Sequence, residues 1–363
     1  MKTEILVAAI VYSFLMLRSA RGQGTLTPSG PPAPTMKTLD QIEARAPISS
    51  VPFTINRPGS YYLTTNLAVS TGNAITIATN GVKVDLNGFT LSSTAARATG
   101  DGILINSGLK NIIIINGFIQ SGVTNNGSGL YSGSGFANGI NYSGSQPANV
   151  RVSGISVSGC QNCGIYLNTD SATEVDACTV RTIGSYGVSA DIIKDSSAMD
   201  CGYVGIFGNQ VSNCRGGSTG SGYGLAATTA QNCYGFCSGD GSGLAATTAQ
   251  NCEGYGVSND GVNANTAQNC YGYSDSLNGV DALTVFNSEG STYNGTAVSA
   301  DTALNCYGYC SGAGYGLFVT GVAVGCHGYS STGTGIFAFI ANVCHGGTSS
   351  GTGLTATHNV NSY

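Results

Sequence analysis

The decapeptide GLAATTAQNC runs from Gly224 to Cys233 and recurs unchanged from Gly243 to Cys252. Related endings follow as NTAQNC to Cys270, DTALNC to Cys306, GVAVGC to Cys326 and FIANVC to Cys344, while TVFNSEG puts Ser288 where the pattern expects a cysteine. Counting that serine, the intervals from Cys214 are 19, 19, 18, 18, 18, 20 and 18 residues. A fixed period of this size marks a solenoid, whose repeats bury their apolar faces against one another. It leaves no room for a helix in each repeat, whereas three short strands joined by tight bends use that length. The Leu-x-x-Leu-x-Leu pattern of a leucine-rich horseshoe is absent.

Upstream the copies diverge but keep the rhythm: VKVDLNGFTLSS from Val82, KNIIIINGFIQSG from Lys110 and NVRVSGISVSGC from Asn149. Each is rich in β-branched residues and is interrupted by Asn-Gly or Ser-Gly, which supply the positive φ of a turn. The expected fold is therefore all-β, a single-stranded parallel β-helix. Each side chain would stack on its equivalent one coil away, at about 4.8 Å, so the repeat region gives about 15 coils and a rod on the order of 70 Å long.

Composition narrows the partners. Of 363 residues 55 are Gly, charged residues make up 9 %, and the net charge is −5. Binding to nucleic acid rests on clustered Lys and Arg, and only 13 are present, so nucleic acid is not an expected partner. The apolar run Ile5–Leu17 behind Lys2 has the length of a secretory h-region and falls short of a membrane span. Residues 1–22 read as a signal peptide, so the chain is expected to be secreted or held at the cell surface, with no transmembrane segment after cleavage. Residues 23–47 read as a Pro-rich linker and a short amphipathic helix, which would cap the solenoid or mediate association, and 48–363 as the β-helix itself.

Ten cysteines read as one repeat position: Cys160, Cys178, Cys201, Cys214, Cys233, Cys252, Cys270, Cys306, Cys326 and Cys344. Parallel side chains about 4.8 Å apart are too far for the 3.5–4.5 Å between Cβ atoms that a disulfide prefers, so a column of buried free thiols is expected. Three residues beyond the ladder come Phe236, Tyr255, Tyr273, Tyr309 and Tyr329, with Tyr234, Tyr271 and Tyr307 one residue beyond it. Such a column would either stabilise the solenoid or stack on the sugars of a polysaccharide or cell-surface glycan laid along it.

Catalytic residues are scarce. Beyond Arg215 there is no Lys or Arg, and 302–363 hold no charge at all. Dense charge occurs only around 170–200, where the cysteine spacing is uneven, long from Cys178 to Cys201 and short from Cys201 to Cys214. Asp176 and Asp200, each close before a cysteine, would meet there beside Arg181 and Lys194. That set would suit Ca²⁺ binding or acid/base work in a polysaccharide lyase or glycoside hydrolase, the alternative to a structural, adhesive or glycan-binding scaffold that needs no cofactor.

The phrases INRPGSYYLTTNL, VDLNGFTLSS and GDGILINSGLKNIIIINGFIQSG resemble repeats of secreted bacterial proteins in the pectate-lyase-like superfamily, over about Pro58–Asn361. The resemblance implies a right-handed parallel β-helix, in keeping with the handedness of parallel crossovers. It leaves activity open, since that superfamily includes lyases, hydrolases and adhesins.

Overall fold

The computed structural model describes residues 44–144, 147–169 and 172–363. The expected signal peptide and all but the last residues of the linker and capping helix lie outside the described residues. Among the described residues there is no helix, and 33 strands join one sheet by parallel pairing. The chain is a parallel β-helix repeat protein. Its first strand, Ala46–Ile48, pairs with Gly59–Leu63, so the solenoid starts slightly before the expected boundary at residue 48.

The coils become uniform along the chain. Val82 pairs with Ile112 and Lys110 with Ala148, so the early coils are long. The separation then shortens, through Val150 with Thr173 to Glu174 with Ile192, and settles at the period read from the cysteines. The long coil between Lys110 and Ala148 contains an antiparallel hairpin, Gly122–Asn125 against Tyr131–Ser134, that departs from the parallel stack. Three strands per coil hold only at the N-terminal end, as in Ile75–Ile77, Val82–Asp85 and Thr90–Ser93. Val188–Lys194 pairs with both Ile165–Tyr166 and Thr173–Asp176, merging two arms into one strand. Later coils keep two strands, such as Leu225–Gln231 and Tyr234–Cys237.

The register corrects the single cysteine ladder. Arg215 pairs with Tyr234, Tyr234 with Glu253 and Glu253 with Tyr271, which stacks Cys214, Cys233, Cys252 and Cys270, and the column continues through Ser288, Cys306, Cys326 and Cys344. Going back, Ser197 pairs with both Arg215 and Thr179, so Ser196 lies between Cys214 and Cys178. Cys160 and Cys201 do not belong to this column. Both pair with Ile183, and Cys201 pairs onward with Ser218, then Cys237, in a second buried column that also holds Cys310. The uneven spacing around Cys201 thus resolves into two regular coils of equal length, from Cys178 to Ser196 to Cys214.

All thirteen cysteines are free thiols, and all but Cys163 are buried. Cys233 Sγ donates to the Gln231 carbonyl at 3.1 Å and Cys252 Sγ to that of Gln250 at 3.2 Å. Ser288 takes the same role, its Oγ donating to Phe286 O at 2.7 Å and accepting from Cys270 N at 3.0 Å. A small side chain with one donor is what the position needs, so Ser and Cys alternate there without strain. The residue before the ladder turns the chain with positive φ, between 46° and 54° in Asn213, Asn232, Asn251, Asn269, Asn287 and Asn305. Asparagine tolerates this conformation better than most residues. Asn232, Asn251 and Asn269 each donate an amide N–H to the Oδ1 of the asparagine one coil back, at 3.1–3.2 Å.

Gly235 and Gly254 face inward, where the coil is narrow. A Cβ at Gly254 would run into the Gly261 carbonyl across the lumen. Gly254→Ala is expected to cost about 1–3 kcal/mol through overpacking, measured as a lower urea midpoint; an unchanged midpoint would mean the lumen is wider than described.

Burial pushes the Cys160 thiol up to about 12, and those of Cys163, Cys178 and Cys214 to about 11. These thiols stay protonated in the folded chain while the unfolded chain ionises. The stability they contribute is whole below the unfolded value of about 8.5 and is lost as pH rises towards the folded values. Urea midpoints are expected to fall between about pH 8 and pH 10, and the denatured chain should titrate thirteen thiols; a flat profile with few titratable thiols would establish disulfides instead.

Candidate functional site

In the coils from Tyr234 to Ser330 each four-residue end strand turns its second residue, a glycine, and its fourth residue inward and points its first and third side chains out. Stacking therefore creates two outer columns. The third positions read Gly217, Phe236, Tyr255, Tyr273, Ser291, Tyr309, Tyr329 and Gly347. The first positions read Arg215, Tyr234, Glu253, Tyr271, Glu289, Tyr307, His327 and His345.

The expected glycan-binding residues all lie in the third-position column, but their rings stack on one another. Phe236 and Tyr255 have centroids 5.3 Å apart, Tyr255 and Tyr273 4.8 Å, and Tyr309 and Tyr329 5.5 Å, with planes within 26° of parallel. Ser291 splits the column into a run of three and a run of two. Ring faces used in this way are closed to a ligand, which leaves mainly edges and hydroxyls. The Tyr273 hydroxyl donates to Asp275 at 2.8 Å, a bond that raises its pKa to about 12, and Tyr255 reaches the same carboxylate at 3.3 Å.

The first-position column is built differently. Tyr271 sits between Glu253 and Glu289, with no ring above or below it in the column. Tyr234 has the Arg215 guanidinium 4.7 Å from its ring centre on one side and Glu253 on the other. Tyr307 is flanked by Glu289 and by His327, whose ring lies 5.2 Å away and itself stacks on His345 at 4.6 Å. Partial burial and the two carboxylates raise the Tyr271 pKa, while burial and then His345 lower that of His327.

Between this column and the exposed asparagine ridge runs an open groove. One stretch, of about 530 Å³, is lined by Asn251, Asn269, Asn287, Glu253, Tyr271 and Glu289 among others. A second, of about 480 Å³, carries it back past Tyr234 to Arg215. Asn232, Asn251, Asn269 and Asn305 each spend one amide N–H on the asparagine one coil back and keep a second for a ligand. The sequence carries the signal for this groove, since Tyr234, Tyr271 and Tyr307 share one offset from the ladder and Glu253 and Glu289 share it too. The two sets had to be joined by register to be seen as one alternating line.

The four residues of the catalytic alternative are not brought together. Asp176 pairs with Lys194 one coil on, and Lys194 bonds Glu174 at 2.5 Å. Asp200 lies on another strand, Ser197–Cys201, in the column adjoining Cys201. It accepts hydrogen bonds from Asn125 at 2.7 Å and Tyr131 at 2.8 Å, which fasten the hairpin to the solenoid, and from Thr182 at 2.8 Å on the neighbouring solenoid strand. Burial would raise the Asp200 pKa, but those three bonds and Arg181 outweigh it and hold it below the usual carboxylate value. A carboxyl so held is a poor proton donor. Arg181 and Asp200 share a cleft with Met199, Arg215 and Phe236. Among the described residues no group of three or more His, Cys, Asp or Glu is placed to hold a metal ion, and no helix is long and apolar enough to cross a membrane.

No protein-family model matches the chain, and a search of curated proteins finds no match. Among solved structures, the crystal structure of the Dettilon tailspike protein (gp208) is similar over 86 % of this chain, with 11 % identity and a TM-score of 0.35. The chain spans 61 % of that protein's length. Likeness at this level bears on neither ligand nor activity, and the fold assignment rests on the parallel strand register itself.

Proposed function

We propose that this β-helix is a scaffold that binds glycan along its side, exported to the cell surface or the medium, and that it works without a cofactor. The observation that carries the reading is the continuous groove between the asparagine ridge and the line of Tyr234, Glu253, Tyr271, Glu289 and Tyr307. It offers aromatic surface for sugar rings, carboxylates that accept from hydroxyls, and amides that do both. Proteins that hold carbohydrate use this mixture of planar apolar surface and a few placed polar groups. The stacked column of Phe236, Tyr255, Tyr273, Tyr309 and Tyr329 forms the neighbouring wall, contributing edges and hydroxyls while stiffening the face.

The test is retention of the purified chain on a panel of insoluble polysaccharides. Tyr271→Ala combined with Tyr307→Ala is expected to weaken retention about tenfold or more, equivalent to about 1.4 kcal/mol, with the urea midpoint little changed. Tyr255→Ala should instead lower stability by about 0.5–1.5 kcal/mol beyond its lost burial, read as a lower urea midpoint. Release of new reducing ends by the wild-type chain, abolished in Asp200→Asn, would replace the scaffold reading with a depolymerase centred on the Arg181–Asp200 cleft.

A further inference from the structure

Along the groove the tyrosines recur every second coil, at Tyr234, Tyr271 and Tyr307, and the carboxylates recur every second coil between them, at Glu253 and Glu289. With coils about 4.8 Å apart, the chemical repeat of the groove is about 10 Å, twice the repeat of the backbone that builds it. The stacked wall beside it has no such doubling. A ligand matched to this line therefore presents the same group every second unit, over close to the same length.

An extended β-1,4-linked pyranose chain has that property. Successive rings are turned over relative to one another, so a given ring face and a given set of hydroxyls return only with every second sugar, and the advance per pair of rings is close to two coils. Alternate rings would lie against Tyr271 and against the faces of Tyr234 and Tyr307 not covered by Arg215 and His327, while hydroxyls of the rings between them donate to Glu253 and Glu289. The spare amide N–H groups of Asn251, Asn269, Asn287 and Asn305 would meet the opposite edge of the chain.

Charge narrows the class further. Neither Glu253 nor Glu289 has an ion-pair partner among the described residues, both are exposed, and no Lys or Arg follows Arg215 in the sequence. Arg215 sits at the far end of the groove against Tyr234, and around Glu253 and Glu289 carboxylates on a ligand would lie well within a Debye length of about 10 Å at ordinary salt and would be repelled. We infer that the groove takes an extended β-1,4-linked glycan free of carboxylates, running parallel to the solenoid axis with one pair of sugars per two coils. The inference rests on the glycan-binding reading and specifies the ligand of that same groove.

The experiment compares retention on microcrystalline cellulose and chitin with retention on polygalacturonate and on a β-1,3-glucan, and adds binding of soluble cello-oligosaccharides of increasing length. Expected are retention on at least one β-1,4 polymer at least tenfold stronger than on polygalacturonate, and affinity that climbs in steps of two sugars. Glu253→Lys with Glu289→Lys should narrow the difference from polygalacturonate at least tenfold, with an unchanged urea midpoint showing that the variant is folded. Preference for polygalacturonate or the β-1,3-glucan, still lost in the Tyr271→Ala, Tyr307→Ala variant, would overturn the inference and leave glycan binding standing. Retention on none of the polymers would overturn both.

Discussion

Parallel in-register stacking governs everything else in this chain. Each residue meets its own equivalent about 4.8 Å above and below, so a side chain is selected for its tolerance of copies of itself as well as for its fit to the coil. Thiols, alanines, amides and phenol rings tolerate such company. Isolated charges do not, because like charges directly opposite one another destabilise paired strands. The thin supply of Lys, Arg, Asp and Glu follows from that constraint.

The same constraint shapes the groove. Glu253 and Glu289 would oppose each other if they lay on adjacent coils; with Tyr271 between them they are about 10 Å apart, near a Debye length. Alternation therefore lets the face keep acidic groups at little electrostatic cost, and it also doubles the repeat offered to the outside. Where Tyr or Phe follows itself directly, as in Phe236, Tyr255 and Tyr273, the rings close on one another and the surface gains rigidity while losing open ring faces.

Much of this was legible in the sequence. The regular recurrence of the ladder cysteine announces a parallel β-helix, and the Asn-Gly and Ser-Gly pairs of the earlier coils announce turns. Reading residue identity in place of register misled twice: Cys160 and Cys201 look like ladder residues and Ser196 does not, yet Ser196 occupies the ladder site while Cys160 and Cys201 lie in the second buried column. The apparent irregularity between Cys178 and Cys214, and with it the reason to gather Asp176 and Asp200 into one site, came from that substitution. The hairpin Gly122–Asn125/Tyr131–Ser134 was hidden inside a long coil, because only the strand register shows that Lys110 meets Ala148. Ring orientation was beyond the sequence altogether, since a column of tyrosines is compatible with faces turned outward or turned on one another.

The two identical copies of GLAATTAQNC make Leu225–Gln231 and Leu244–Gln250 interchangeable neighbours: the same seven residues pair with themselves, and each coil touches mainly the ones beside it. Excising or duplicating one such unit would leave the seam between coils chemically as it was. Length is accordingly a quantity that can change in whole coils, and each two-coil increment would extend the groove by one more identical berth without the need to invent a new one.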